Sequence, residues 1–165
     1  MGKTLTLDLA TNKATGRKVI ATNCTNGLAN TLTNGLRGTE RHSDFEWAGW
    51  YNTDADFTID LGEKVSVTHI TIGTLSNCNM SVATPCAIYV YGSNDNQNYT
   101  LLGSKTLDGV SIFSKLPNKV NVDVDVNDTS NRYIRIKAIH PGTIPADYLR
   151  GGQAPWMYFD EIIVE

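Results

Sequence analysis

The carboxylates available for acid–base work in this 165-residue chain are Asp54, Asp56, Asp60, Asp147 and Asp160. Glycoside hydrolysis requires two such groups facing each other across a cleft, about 5–10 Å apart. None of the five lies in a motif that supplies a raised pKa or a nucleophile, and no GxSxG, Cys-His grouping or P-loop occurs. The chain is therefore not expected to be an enzyme. Cys24, Cys78 and Cys86 form no CxxC pair and stand near no group of histidines, so a zinc site has no support. A Cys78–Cys86 bridge would close a short loop in an exported protein, whereas free, buried thiols are the plainer outcome of an odd cysteine count.

Binding is the chemistry that the residue types favour. The stretch LTNGLRGTERHSDFEWAGWYNTDADFTIDLG, residues 32–62, opens on the turn-forming pair Asn34-Gly35, passes through charges and hydroxyls, and sets Trp47 three residues before Trp50. It ends as a strand in which Phe57, Ile59 and Leu61 alternate with Thr58 and Asp60. A polar and aromatic loop anchored on a core strand is a common form of binding surface on a rigid scaffold. The alternative is that the tryptophans plug one end of a core.

Size and charge narrow the classes. A chain of this length forms one domain with a full core, here residues 1–165. The net charge is -3 and there is no cluster of Lys or Arg, which gives no footprint for nucleic acid. No run of 18 apolar residues exists, and MGKTLTLDLATNK lacks the charged-then-apolar order of a signal peptide, so no membrane insertion is expected. Met1-Gly2 has the look of a start added to a module taken from a longer secreted protein.

The elements that must position the loops are strands. Helical periodicity is absent, and short alternating runs bounded by Gly, Asn, Asp and Pro recur. In KVSVTHITIG, Val65 and Val67 share one parity and Ile70 and Ile72 the other, which requires a bulge near Thr68-His69 and turns His69 sideways or outward. TLSNCNMSVATP is a long loop, and CAIYVYGSNDNQNYTLLGS is a hairpin turning at Ser93–Asn96. KVNVDVDVND places Val120, Val122, Val124 and Val126 inside, with Asp123 and Asp125 on a solvated face. NRYIRIKAI buries Ile134, Ile136 and Ala138 and turns its cations toward a neighbouring aspartate-bearing strand. HPGTIPADYLRGGQAP is a second long loop, and WMYFDEIIVE is the closing strand. About eight strands with this spacing make an all-β, two-sheet antiparallel sandwich of jelly-roll type.

The order NGLRG, Trp47 followed by Gly49, FTIDLG, YVYGSNDNQNYT, RYIRIKA and PWMYFDEIIVE resembles the discoidin, or coagulation factor type C, modules. It is most similar to the carbohydrate-binding modules attached to bacterial glycoside hydrolases, above all the C-terminal modules of chitobiase-type β-hexosaminidases. The resemblance runs from about Leu32 to Glu165. It implies a non-catalytic, secreted, periplasmic or cell-surface monomer that binds glycans of the galactose, N-acetylgalactosamine or N-acetylglucosamine class and serves a catalytic domain tethered in the same polypeptide. A structural or protein-docking module that packs on a neighbouring domain is the competing class.

Sugar recognition needs a flat apolar surface for a pyranose C–H face and fixed groups for its hydroxyls. Trp50 and Trp156 are the candidate platforms, with Tyr51 and Tyr148 behind them. Arg41, His42 and Glu46 in the first loop, Asn77 and Asn79 in the second and Arg150 in the third are the candidate hydrogen-bonding groups, provided the loops share one end of the fold. Where galactose-binding relatives carry a histidine soon after the tryptophan, Ala48 and Gly49 follow Trp47. The resemblance also implies one structural calcium ion, matched here by Asn34, Thr39 and Glu161. Glu161 shares parity with Met157, Phe159 and Ile163, so an inward-facing strand buries its carboxylate and obliges it to find a cation or donors, either calcium or Arg37.

Overall fold

Apolar–polar alternation becomes strand along most of the chain. The computed structural model describes residues 12–165, the side chain of Asp128 excepted, so residues 1–11 of the N-terminal stretch lie outside it. The strands are β1 (Lys18–Thr22), β2 (Ala48–Tyr51), β3 (Ala55–Ser76), β4 (Ala87–Ser93), β5 (Thr100–Thr106), β6 (Asn118–Ile139) and β7 (Trp156–Val164). Every ladder between them is antiparallel. Among the described residues the one α-helical turn, α1 (Gly109–Ile112), is capped by Asp108, whose carboxylate accepts from Ser111 N.

Two strands, β3 and β6, are 22 residues long and serve both layers. Their first contact pairs residues 55–60 with 133–138 and their second pairs residues 69–76 with 118–125; between them residues 65–67 pair with 129–131, set off by register shifts at Asp60/Val65 and Val67/His69. Around the first ladder lie β1, β4 and β5, and around the second lie β7 and β2. Leu61-Gly62-Glu63 is thus a bend inside one strand, with Gly62 at a φ of 86°. The expected bulge is found between Val67 and His69. It lets Val67, Ile70 and Ile72 all reach the core, where Phe57 and Phe159 meet across the layers at 6.2 Å.

Outward faces carry ion pairs. Arg135 and Arg132 of β6 each form two-pronged bonds to Asp56 and Asp60 of β3, which are the aspartates that the cations of NRYIRIKAI required. His69 bridges Asp123 and Asp125 at 3.1 and 2.8 Å, so these two carboxylates have a partner on β3. The hairpin turn is fastened by Asp95, which accepts from Gln97 N, Asn98 N and the Asn98 amide. No disulfide forms. Cys78 is buried against Ala83, Ile112 and Ile144, and Cys86 packs on the same cluster with a free thiol. No helix among the described residues is long and apolar enough to cross a membrane.

Candidate ligand-binding site

Strands β2 and β7 pair so that Trp50 lies opposite Met157 and Tyr51 opposite Trp156. Alternation turns Trp50 and Met157 inward, and both are fully buried. Trp50 packs on Phe57 and Phe159 and donates its indole N–H to Asn23 Oδ1 at 2.6 Å. It therefore offers no face to a ligand, and the platform role expected for it is corrected to a core role. Trp47 is also buried, with Leu75, Val82 and Tyr158.

The outward positions build a row of rings. Tyr51, half exposed, lies 5.0 Å from Trp156 at 38°; Trp156 stacks on Tyr158 at 5.6 Å and 19°; and His42 closes the row over Tyr158 at 5.4 Å. Tyr51, Trp156, Ser81 and Gln153 line a cleft of about 450 Å³, the scale of a small-ligand site. Its polar wall is fixed by the main chain. Trp156 N donates to Ser81 O at 2.7 Å, Ala83 N donates to Trp156 O at 2.9 Å, and Ser81 Oγ donates to Gln153 Oε1 at 3.2 Å. Two tilted ring faces beside a hydroxyl and a primary amide can take a pyranose by stacking and by hydroxyl hydrogen bonds.

The second and third loops do converge. Arg150 Nε donates to Asn79 O at 2.8 Å, beside the 3₁₀ turn Cys78–Met80. Asn77 is buried and bonds Val82 through its main chain, a turn-forming role. From the first loop, His42 joins the row, Arg41 is exposed, and Glu46 is half-buried and lines neither this cleft nor its neighbour. Tyr148 is not behind Trp156: it packs on Phe113, to whose carbonyl it donates at 3.1 Å, under Lys115. Ser81, Gln153 and Tyr158 were not anticipated. Of these, Tyr158 was findable, since it shares parity with Trp156 in WMYF.

A bulge in β7 builds a separate acidic feature. Ile72 pairs with Ile162 and Thr74 with Phe159, so Asp160 and Glu161 together face Gly73. Inward parity then passes from Phe159 to Ile162 and Val164, not to Ile163. Asp160 takes Arg37 Nε and Gly38 N, both at 2.8 Å; Arg37 is thus spent on Asp160, not on Glu161. Glu161 is buried, and among the described residues it accepts from neutral donors, Asn12 Nδ2 at 3.3 Å and Gly35 N at 3.1 Å. Burial, with Asp160 alongside, pushes its carboxyl up to about 8. A cation bound here would hold this carboxyl in its charged form, which burial otherwise disfavours. Of the oxygens expected to share it, Asn34 Oδ1 accepts from Leu36 N and Thr39 Oγ1 bonds Asp44, so metal ligation would exchange these bonds for metal bonds.

The sequence profile of the F5/8 type C domain matches residues 18–150. A search of curated sequences finds no match. Among solved structures, a fragment of a putative chitobiase from Bacteroides thetaiotaomicron is 22% identical, with a TM-score of 0.62 over 93% of this chain and 90% of that one. Chitosan-binding module 2 of a chitosanase/glucanase from Paenibacillus sp., in complex with chitotriose, is 17% identical, with a TM-score of 0.58 over 93% and 98%. A Clostridium perfringens module in complex with GalNAc-β-1,3-galactose is 13% identical, with a TM-score of 0.57 over 96% and 97%.

Proposed function

The chain belongs to the F5/8 type C domain family, and from that premise we propose that it is a non-catalytic carbohydrate-binding module for amino-sugar-containing glycans. One observation carries this reading: Tyr51 and Trp156 open a tilted aromatic cleft whose remaining wall is the Ser81 hydroxyl and the Gln153 amide. An apolar docking surface would have no use for that polar wall. Solved structures of the same fold in complex with chitotriose and with GalNAc-β-1,3-galactose support the ligand class. Tethered to a glycosidase in an extracellular or surface protein, such a module acts by effective concentration, holding the catalytic domain near its substrate.

A structural calcium at Glu161, shared with Asn34 and Thr39, belongs to the same proposal. It would supply the positive charge that the buried carboxylate lacks and so order residues 34–39; it has no part in gripping the sugar.

Titration calorimetry with chitotriose and with GalNAc-β-1,3-galactose, on the parent and on Trp156→Ala, tests the reading. Binding by the parent and its loss in the variant are expected. If the parent binds neither glycan, with or without calcium, the docking alternative takes its place.

A further inference from the structure

A second cleft, of about 420 Å³, lies at the Tyr158–His42 end of the same ring row. Tyr158 and His42 form one wall, Asn26 and Leu28 another, and Ser43 and Phe45 line it as well. Phe45 is 97% exposed. Its turn is nevertheless fixed: Asp44 N donates to Arg41 O, Trp47 N donates to Asp44 O, and the buried Trp47 donates its indole N–H to Thr39 O at 3.1 Å. The facing wall is equally fixed. Asn26 and Gly49 exchange main-chain bonds at 3.0 and 2.7 Å. The main chain of this turn is thus fixed, and it presents a solvent-exposed aromatic ring to a cleft also lined by a hydroxyl, an amide and an imidazole.

The two clefts have no lining residue in common but adjoin along the ring row. Trp156 lines the first and stacks at 5.6 Å on Tyr158, which lines the second together with His42. We infer that the second cleft is a further sugar subsite with Phe45 as its platform, so that the ligand is an oligosaccharide spanning both clefts and not a single terminal sugar. The inference rests on the proposed glycan-binding role. Exposed Phe45 and Leu28 provide C–H stacking surface, and Asn26, Ser43 and His42 provide the hydroxyl partners.

Calorimetry with paired ligands separates the possibilities: N-acetylgalactosamine against GalNAc-β-1,3-galactose, and glucosamine against chitotriose, on the parent, Phe45→Ala and Trp156→Ala. At least tenfold tighter binding of the longer member of a pair is expected. Phe45→Ala should remove that gain while leaving the monosaccharide affinity unchanged, and Trp156→Ala should weaken both members. Equal affinity for short and long ligands, with Phe45→Ala binding like the parent, would overturn the second subsite and leave the first standing. Failure of every sugar to bind the parent would remove the glycan role itself, and the subsite with it.

Discussion

The ring of Tyr158 fills the space that a side chain on Gly49 would need: a Cβ at Gly49 would stand 2.6 Å from Tyr158 Cε1. The two residues are paired across β2 and β7, so the missing side chain on one strand makes room for the ring on the other. Tyr158 is held on its far sides by Trp156 and His42 and cannot swing away without disturbing the row. Gly49→Ala is therefore expected to cost about 1–3 kcal/mol, as overpacking does. Denaturant titration reads this, and calorimetry should show glycan affinity falling with it. Parent-like stability would mean that the row adjusts freely.

The same pair marks what the sequence could and could not disclose. Long alternating runs were legible because every second residue of Val120–Val126 and Ile134–Ala138 is apolar, and the bulge at Thr68-His69 followed from a parity conflict between valines and isoleucines. β2 is only four residues long and starts with Ala-Gly, so nothing in its pattern distinguished the inward Trp50 from the outward Tyr51. The bulge at Asp160-Glu161 was hidden because Ile162 and Ile163 are both apolar, and either parity looked acceptable. Ser81 and Gln153 sit in loops whose meeting depends on main-chain bonds between residues far apart in sequence.

Trp50 and Trp156 should separate stability from binding. Truncating the fully buried Trp50 leaves a cavity between Phe57 and Phe159 and removes one of the two donors to Asn23 Oδ1, the other being Asp56 N, so Trp50→Ala is expected to lose roughly 3–5 kcal/mol. Trp156 is only partly buried, and Trp156→Ala should lose much less stability while abolishing glycan binding. Thermal denaturation and calorimetry on both variants check the split. Equal loss of stability would place Trp156 in the core.

Glu161 gives stability a pH dependence of unusual sign for a carboxylate. Its folded pKa, about 8, exceeds the ordinary 4.5, so between these values the folded state holds a proton that the unfolded state has released. Stability contributed by this group is thus fully present below about 4.5 and is lost as pH rises toward 8, by as much as about 5 kcal/mol. Unfolding free energies from pH 5 to 8 in a chelator should fall accordingly for the parent, and Glu161→Gln should remove most of that fall, leaving the part due to His69, whose pKa the Asp125 and Asp123 carboxylates raise. If calcium occupies the site, adding it near pH 8 restores the loss in the parent and not in the variant. A parent curve that does not fall, or a variant curve that falls equally, would exonerate this carboxylate.

Arg37 and Asp160 carry the opposite risk, since their pairing leaves little room for adjustment. Asp160 has no exposed side-chain surface, and a Cβ on Gly73 would lie 1.8 Å from its Oδ1 and 2.6 Å from an Arg37 terminal nitrogen. Removing the guanidinium strands a buried carboxylate with, among the described residues, the N–H groups of Gly38 and Glu161 as its donors, and breaking such a pair costs on the order of 3–5 kcal/mol. Arg37→Ala should therefore destabilise the fold by that amount. Asp160→Asn keeps the shape and releases the charge, so the double variant Arg37→Ala/Asp160→Asn should recover part of the loss. Denaturant titration of the three variants supplies the cycle: additive losses would mean that the two side chains act independently, whereas a coupling of 1 kcal/mol or more would tie residues 34–38 to the β7 bulge through this pair.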